Sequence, residues 1–248
     1  MRTAIVTGAA GGIGEATAQD LARWGWRVFG FDLRAGESTL LPSDLAGFGG
    51  SVEPIRVDVT DRAAVEAAVA AVLATTGGTL DAVVANAGIR VAGVFEETPF
   101  AQIRRLFEVN LGGAMHVTRA ALPALRATEG SRVVVVSSVG GLSALPGLAA
   151  YCGSKWAVEG WAESLAHELH PLGVGVAIVE PASVRTGLWD LGAVYGDPDG
   201  PYAPLVESVE VGDDRAWARA LDPASVSATM VAVTEGRRGL RHPIGLTA

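Results

Sequence analysis

Short apolar runs rich in β-branched residues alternate along the chain with longer segments in which apolar residues recur at helical spacing. A short apolar run bounded by polar residues or glycine is typical of a buried strand, and the helical recurrence is typical of an amphipathic helix. The runs predict strands at residues 3–6, 27–31, 55–57, 80–85, 133–136 and 174–179. The recurrence predicts helices at residues 13–24, 62–73, 100–107, 110–125 and 150–169.

The alternation of strands and helices predicts an α/β fold built on a doubly wound parallel sheet. Such a sheet is covered by helices on both faces, in three αβα layers, and its strands are joined by right-handed crossovers. The valine run at 133–136 agrees with this, because a strand buried on both faces has no polar alternation. No repeat and no Pro/Ser-rich linker divides the chain, so we expect one domain over residues 1–248.

The region 186–221 interrupts this rhythm. Glycines and prolines recur there with acidic residues between them, at Gly192, Gly196, Pro198, Gly200, Pro201 and Pro204. We expect a long excursion from the sheet, of the kind that in compact domains is usually functional or disordered.

Composition and charge narrow the possible functions. The 248 residues are 49% apolar and 19% charged, which excludes intrinsic disorder. The net charge of −8, without any run of Lys or Arg, argues against nucleic acid or an anionic membrane as the main partner.

The cysteine content and the N-terminus bear on the compartment. Cys152, the one cysteine, can form neither an intrachain disulfide nor a thiolate metal cluster, so we expect a reducing compartment. The chain becomes glycine-rich before a signal-peptide core could form, and its apolar runs are too short to span a bilayer. The expected location is the cytoplasm.

A glycine-rich turn follows the first predicted strand and opens the first helix. It reads Thr-Gly-Ala-Ala-Gly-Gly-Ile-Gly and contains Gly8, Gly11, Gly12, Ile13 and Gly14. Glycine lets the backbone turn tightly and approach a ligand, and the helix that starts here directs free N–H groups into the turn. This arrangement predicts a pyrophosphate site in a Rossmann-type dinucleotide fold.

Asp32 ends the second predicted strand, at about the distance from the glycine turn expected for a ribose-binding carboxylate. Its charge would accept from both ribose hydroxyls and repel a 2′-phosphate, so NAD is favoured over NADP. Arg34 weakens this preference, because it could turn toward a phosphate. Asp32 could instead merely end a strand beside a turn. The neighbouring Leu33 is included among the expected cofactor contacts.

Two further strand ends are expected to contact the dinucleotide. Asp58, with Val59, follows the third strand, where the carboxylate could accept from the adenine amino group or could cap the helix that starts near Asp61. Asn86, Ala87 and Gly88 end the fourth strand, where ligands of doubly wound sheets bind. Asn86 could instead only satisfy local backbone groups.

Tyr151 and Lys155 lie four positions apart on a predicted helix and so share one face. Bringing a tyrosine pKa from about 10 to 7 costs roughly 4 kcal/mol. One ammonium about 4 Å away supplies roughly 4 kcal/mol at an effective dielectric near 20. Lys155 could therefore make Tyr151 a usable acid/base. Alternatively, the tyrosine packs and the lysine is solvated, as in many helices with this spacing.

Motifs over residues 3 to about 186 resemble the short-chain dehydrogenase/reductase family in order and spacing. They are Thr-Gly-x-x-x-Gly-x-Gly at 7–14, Asn-Ala-Gly at 86–88, Asn110, Ser138 and Tyr-x-x-x-Lys at 151–155. Ser138, and not the adjacent Ser137, has the family's spacing to Tyr151. Pro181-Ala182 departs from the usual Pro-Gly, so the loop near the nicotinamide is expected to take a slightly different path.

The resemblance implies the roles of the catalytic residues. Tyr151 exchanges the proton of the substrate oxygen, Ser138 orients that oxygen, and Lys155 holds the nicotinamide ribose and lowers the pKa of Tyr151. Asn110 would support a water-linked proton relay to Lys155, although from the sequence it could be a helix N-cap. Further cofactor contacts are expected at Pro181, Val184 and Thr186. The resemblance also implies a homotetramer, or a dimer, built through the helices at 110–125 and 150–169.

The substrate walls are expected to be mostly apolar, at Ser138, Val139, Leu145, Leu188, Trp189 and Tyr195. Arg90 and Arg185 are single charges that we expect to be solvated or paired. The sequence therefore predicts an NAD-dependent oxidoreductase that interconverts a secondary alcohol and a ketone. The expected substrate is uncharged and apolar, with a cyclic body as one form.

Other functions fit less well. The chain has no Gly-x-Ser-x-Gly of a serine hydrolase, and His167 and His170 lack the His-Glu-x-x-His zinc spacing, so no metal is expected. An NADP-dependent carbonyl reductase of the same family and a non-catalytic NAD-binding regulatory protein remain as alternatives. An epimerase or dehydratase usually has a larger substrate domain.

Overall fold

A computed structural model describes residues 1–35, 47–188 and 194–245, without the side chains of 210–216. Its strands are β1 (Thr3–Thr7), β2 (Arg27–Asp32), β3 (Ser51–Arg56), β4 (Ala82–Ala85), β5 (Ala92–Gly93), β6 (Arg132–Val136), β7 (Gly175–Pro181), β8 (Val194–Tyr195) and β9 (Arg241–Ile244). Its helices are α1 (Gly12–Arg23), α2 (Arg62–Thr75), α3 (Phe100–Phe107), α4 (Ala114–Ala127), α5 (Ala149–Leu169), α6 (Ala203–Ala218) and α7 (Pro223–Thr234).

Seven strands of the described residues form one parallel sheet in the order β3-β2-β1-β4-β6-β7-β9. From β1 the chain winds outward to β2 and β3, and then returns to the other side of β1 with β4. The carboxyl ends of β1 and β4 therefore flank the point where the winding reverses, which is where open α/β sheets bind ligands. The predicted doubly wound, three-layer fold is confirmed.

Apolar side chains fill the space on both faces of the sheet. Successive strand residues point to opposite faces, so Val133 and Val135 pack with α2, α4 and α5, while Val134 and Val136 pack with α1 and α7. The valine run is buried on both sides, as its sequence predicts. The sheet is thus a rigid platform for the loops at its carboxyl edge.

α3 and α4 are joined without a break by a π-helical turn, Glu108–Gly113. A Cβ on Gly113 would lie 2.6 Å from Cγ2 of Val59, so glycine lets this turn pack closely against the loop after β3. Asn110 lies inside the turn, and the alternative that it caps the N-terminus of a helix is wrong. Single π-helical turns within α-helices often occur at functional sites.

The described residues of the excursion at 186–221 contain regular structure, namely β8 and α6. β8 pairs with β5 in a small parallel sheet. The base of the excursion is closed by a bridge between Val184 and Leu221, where Leu221 N donates to Ser183 O at 2.8 Å and Arg185 N donates to Leu221 O at 2.9 Å. The excursion thus starts and ends beside the carboxyl end of β7.

No helix in the described part of the chain is both long and apolar enough to cross a bilayer.

Candidate active site

One cleft lies along the carboxyl ends of the central strands and contains most of the predicted site residues. Those that line it are Gly8, Gly11, Gly12, Ile13, Asp32, Asn86, Ala87, Gly88, Ser138, Val139, Leu145, Tyr151, Lys155, Pro181, Val184, Thr186 and Leu188. Strand ends supply most of the floor, and the beginning of α5 supplies Tyr151 and Lys155. The sheet topology therefore brings together groups that are far apart in sequence.

The turn between β1 and α1 has the form that its glycines predict. Gly8 and Gly12 have φ angles of +69° and +56°, a region that other residues rarely adopt. A Cβ on Gly14 would clash with the carbonyl oxygen of Gly8, so Gly14 does not line the cleft but packs beneath its floor. No side chain caps the start of α1 at Gly11, which leaves its first N–H groups directed at the cleft. This cradle fits a pyrophosphate.

Asn86 joins the end of β4 to this turn. Its Nδ2 donates to Thr7 O at 2.9 Å, and the backbone N of Asn86 and of Ala87 donate to the Thr7 hydroxyl at 3.0 and 2.9 Å. The side chain therefore satisfies backbone groups, as the alternative interpretation proposed, and it also borders the cleft. In doing so it fixes the separation of the two central strands where a dinucleotide would lie between them.

Asp32 lies at the cleft edge with both carboxylate oxygens engaged by the backbone. Oδ2 accepts from Ala10 N at 3.0 Å, and Oδ1 accepts from Arg34 N at 2.9 Å. The Arg34 guanidinium lies 3.9 Å from Asp32 and also borders the cleft. A carboxylate and a cation thus border the part of the cleft where the adenosine ribose is expected to bind. Leu33 is half exposed and does not line the cleft.

Asp58 and Val59 lie outside the cleft lining. Asp58 Oδ1 accepts from the Thr60 backbone N at 2.9 Å and from its hydroxyl at 2.7 Å, and Arg105 lies 3.6 Å from Oδ2. Burial raises the pKa of Asp58, but these hydrogen bonds and the Arg105 charge outweigh it, so its pKa is below the ordinary value. The cap of α2 is Asp61, which accepts from Ala64 N at 3.0 Å. The alternative of Asp58 as the cap is therefore wrong.

Tyr151 and Lys155 lie one turn apart on α5, and both are buried at the cleft. Ser138, in extended backbone just past β6, hydrogen-bonds the Tyr151 phenol, and its Oγ accepts from Gly140 N at 3.1 Å. Lys155 Nζ donates to the carbonyl of Val136 at 3.0 Å. The alternative of a packed tyrosine and a solvated lysine does not describe this arrangement, because the ammonium is buried.

Burial shapes the titration of both groups. It raises the pKa of Tyr151, against the Ser138 hydrogen bond and the Arg90 charge, which lower it. It lowers the pKa of Lys155 to about 8, against the charge of Glu159. Tyr151 is therefore protonated at neutral pH. In this structure the cation that lowers the pKa of Tyr151 is Arg90. The expectation that Lys155 lowers this pKa stays a prediction.

Asn110 is buried behind the cleft and holds two elements together. Its Oδ1 accepts from Ile89 N at 2.8 Å, and its Nδ2 donates to Ile89 O and to Ser154 Oγ, each at 3.0 Å. It does not line the cleft, yet its Oδ1 lies 3.2 Å from the position of a Cβ on Gly88. Asn110 thus fixes the loop after β4 against α5, and the water-linked relay stays a prediction.

The substrate side of the cleft is partly as expected. Tyr195 does not line it but packs in an apolar cluster with Tyr151, and Trp189 lies outside the described residues. Sequence reasoning missed Ile89, Leu148 and Arg90 as lining residues. Of the two expectations for Arg90, solvation is wrong, because only 8% of its surface is exposed, and pairing stays a prediction. Its place just after Asn-Ala-Gly, at a strand end, is the signal that could have identified it.

The loop after β7 closes the cleft opposite Tyr151. The side chain of Thr186 packs against Gly12, where a Cβ would lie 2.8 Å from Thr186 Cγ2. Ala182 stands where the family that the sequence resembles usually has glycine. Its backbone is not strained, since none of the described residues other than glycine has a positive φ. Its backbone N donates to Ile244 O at 2.9 Å, so β9 helps to fix the loop.

Comparison with known proteins places the chain in a family. A model described as short chain dehydrogenase matches residues 2–191. The chain belongs to this family. It is an oxidoreductase of the short-chain dehydrogenase type, a family that binds NAD or NADP.

Three similar proteins have informative names. Trans-4-hydroxycyclohexanecarboxylate dehydrogenase from Sinomonas cyclohexanicum is 35% identical over 86% of this chain and 83% of its own length. A short-chain dehydrogenase/reductase from Burkholderia phymatum, solved with NAD, is 28% identical with a TM-score of 0.84, over 98% of this chain and 88% of that one. An alcohol dehydrogenase from Thermococcus sibiricus, complexed with 5-hydroxy-NADP, is 25% identical with a TM-score of 0.79, over 98% and 96%.

Proposed function

We propose that the chain is an NAD-dependent oxidoreductase that interconverts a secondary alcohol and a ketone, with Tyr151 as the acid/base. The observation that carries this proposal is the hydrogen-bonded pair of Ser138 and Tyr151 beside the buried Lys155, in the same cleft as the glycine turn. This arrangement places a phenol, a hydroxyl and an ammonium beside the turn that would bind the dinucleotide. Such a group of side chains is suited to proton transfer at a carbinol oxygen.

The cradle residues would hold the dinucleotide. Gly11, Gly12 and Ile13 would receive the pyrophosphate at the N-terminus of α1, and Asp32 would receive the adenosine ribose. Pro181, Val184 and Thr186 border the opposite wall. The nicotinamide, when bound, supplies or accepts the hydride.

The protein's own part of the reaction is proton handling. In ketone reduction, Tyr151 donates its phenolic proton to the substrate oxygen, and Ser138 donates a hydrogen bond that orients this oxygen. Lys155 stabilises the negative charge left on the phenol. Because Tyr151 is protonated at neutral pH, it can donate in ketone reduction without first taking up a proton. Alcohol oxidation needs the deprotonated phenol, so it should accelerate as the pH rises toward the Tyr151 pKa.

NAD over NADP is proposed on the charge of Asp32, which borders the cleft where a 2′-phosphate would come closest. Arg34 supports the alternative of an NADP-dependent carbonyl reductase, because its guanidinium lies over the glycine turn, 3.2 Å from the position of a Cβ on Gly11. Replacing Asp32 by Ala should relax discrimination against NADP, measured as the ratio of kcat/KM for the two cofactors. Unchanged discrimination would remove Asp32 from this role.

An uncharged substrate with an apolar body is proposed on the aliphatic side chains of Val139, Leu145 and Leu188 in the cleft wall. The cyclohexane ring in the name of the Sinomonas relative supports a cyclic body, whereas the carboxylate in the same name favours a charged substrate. A panel of neutral cyclic alcohols and cyclic hydroxy acids tests this, with NADH absorbance as the readout. Equal turnover of the cyclic hydroxy acids and the neutral alcohols would contradict the proposal of an uncharged substrate. Arg90, which lines the cleft, would then be the candidate partner of the substrate carboxylate.

The reaction itself is tested by replacing Tyr151 with Phe. General acid/base catalysis contributes about 10²–10⁴-fold, so kcat should fall by at least about 100-fold while NAD binding stays nearly unchanged. Tyr202→Phe is the matched control, because its hydroxyl contacts Glu96 away from the cleft. Full activity of the Tyr151 variant would contradict the mechanism.

We further propose that the protein works in a reducing compartment, the cytoplasm, as a homotetramer or dimer. Cys152, the one cysteine of the sequence, is buried. Trp156 on α5 is 54% exposed, an unusual cost for a tryptophan unless another surface covers it. Light scattering of the native protein and of Trp156→Glu tests the assembly, and a monomeric native protein would contradict it.

A further inference from the structure

A second group of titratable side chains lies behind the cleft and has no part in the mechanism above. Glu159 on α5 and Glu180 on β7 are 5% and 0% exposed. Arg241 on β9 lies 3.1 Å from Glu159 Oε2 and 3.9 Å from Glu180 Oε1, and it also pairs with the exposed Glu163 at 3.0 Å. The partly exposed guanidinium of Arg241 thus lies within 4 Å of three carboxyl groups.

Two buried carboxyl groups beside a single arginine do not both carry a charge easily. Glu159 is the nearer to Arg241, whereas Glu180 Oε2 accepts from the backbone N of His242 at 2.8 Å. Burial and the charge of Glu159 raise the pKa of Glu180 to about 7. Glu180 therefore holds a proton below neutral pH, and Glu159 is the carboxyl group that lies within 3.1 Å of the Arg241 guanidinium.

Glu159 also faces the catalytic machinery. It lies four positions after Lys155 on α5, so the two side chains share a helix face with their Cβ atoms about 5–6 Å apart. The hydrogen bond that the structure gives Lys155 Nζ goes to a neutral carbonyl, that of Val136. A buried ammonium needs a nearby negative charge, and Glu159 supplies one.

The surroundings of the glutamate suit a long-range electrostatic role. Within the described residues, Glu159 Oε1, Glu180 Oε1 and Ser137 Oγ are buried without a hydrogen-bond partner. A Cβ on Gly141 would lie 2.6 Å from Ser137 Oγ and 3.1 Å from Glu159 Cγ, so these two side chains are neighbours, and Arg241 links Glu159 to Glu180 in the same buried polar region. Low dielectric strengthens the action of a charge there.

We propose that Glu159 is a positioning residue that keeps the buried Lys155 ammonium charged at neutral pH, with Glu180 as its protonated neighbour. The proposal concerns the same site and rests on the proposed function only for its catalytic consequence. The charged or titratable groups around Lys155 from the elements packed near it are Tyr151, Glu159, Glu163, Glu180, Arg241, His242 and Arg90.

The sequence offers a direct test, because Lys155 is its only lysine. Protein labelled with ¹³C at the lysine ε-carbon should show one resonance, whose pH titration reports this ammonium without cofactor or turnover. Glu159→Gln should move the midpoint down by about one pH unit. Glu163→Gln, the control on the same helix with the same arginine partner, should leave the midpoint unchanged. Glu180→Gln should move it by less than Glu159→Gln does, because Glu180 ionises only near pH 7.

Two further measurements complete the test. Glu159→Asp keeps the charge and should restore most of the native midpoint, which separates electrostatics from a packing defect. In the active enzyme, ketone reduction should lose kcat as Lys155 loses its charge at alkaline pH, and Glu159→Gln should move this loss down in pH by the same amount. Equal midpoints for Glu159→Gln and Glu163→Gln would overturn the proposal, and so would a larger change in Glu180→Gln. A shifted resonance in a protein without oxidoreductase activity would support the positioning role while contradicting the proposed function.

Discussion

The two ends of the cleft are built from different parts of the chain. At the dinucleotide end, backbone groups decide the geometry: two positive φ angles, a helix start without a cap, and glycines with no room for a Cβ. At the substrate end, side chains decide it, through Ser138, Tyr151 and the arginine beside them. The first end tolerates little change in residue type, whereas the second can be retuned by substitution. Three predictions follow from this contrast, in order of decreasing effect.

Gly14→Ala should damage the dinucleotide end most. The added Cβ would meet Gly8 O and lie 2.5 Å from Asn86 Nδ2, so the turn must move, at a cost of about 3 kcal/mol in the free energy of unfolding. NAD binding, measured by calorimetry, should be lost. Gly160→Ala is the control, since nothing lies within 4 Å of its Cβ position on α5, and it should be neutral or stabilising. Equal behaviour of the two variants would refute a backbone-determined cradle.

Ser138→Ala should affect the substrate end alone. Loss of one oriented hydrogen-bond donor lowers kcat by about 10²-fold, while NAD affinity should stay within a factor of about two. Steady-state kinetics and a binding titration measure the two effects. Ser143→Ala, an exposed serine on the following loop, should change neither. A parallel loss of NAD binding would show that the two ends are not separable.

Arg90→Gln should give the smallest change, and only in pH dependence. The Arg90 charge lowers the pKa of Tyr151, so its removal raises that pKa. In the proposed mechanism alcohol oxidation uses the deprotonated phenol. Its acid limb should therefore move to higher pH by about 0.5–1 unit, with ketone reduction at low pH unaffected. Arg126→Gln, exposed on α4, is the control. A shift to lower pH would contradict this role of Arg90.

The contrast between the ends also explains what the sequence could predict. The central strands and the glycine turn were correctly predicted, because buried β-branched runs and glycine spacing are local signals. The same holds for α5, whose residues Tyr151 and Lys155 are near neighbours in the chain. Together with the strand order, these local signals place most of the dinucleotide side of the site.

Side-chain contacts between distant segments could not be predicted in the same way. The burial of Arg90 and the position of Asn110 in a π-helical turn depend on tertiary packing. β9 was missed because Arg241, His242 and Pro243 form no apolar run, although a proline is acceptable in an edge strand. α7 was missed since its β-branched residues obscure helical periodicity, and its burial against the sheet overrides their propensity.

The bridge between Val184 and Leu221 has a consequence for the diversity of such enzymes. Because the two ends of the intervening segment are hydrogen-bonded neighbours, a segment of different length or sequence can be inserted between them without displacing any strand of the main sheet. Under the proposed function, evolutionary change in this segment would reach the cleft wall at Leu188 and alter which compounds bind, while Ser138, Tyr151 and Lys155 keep their positions.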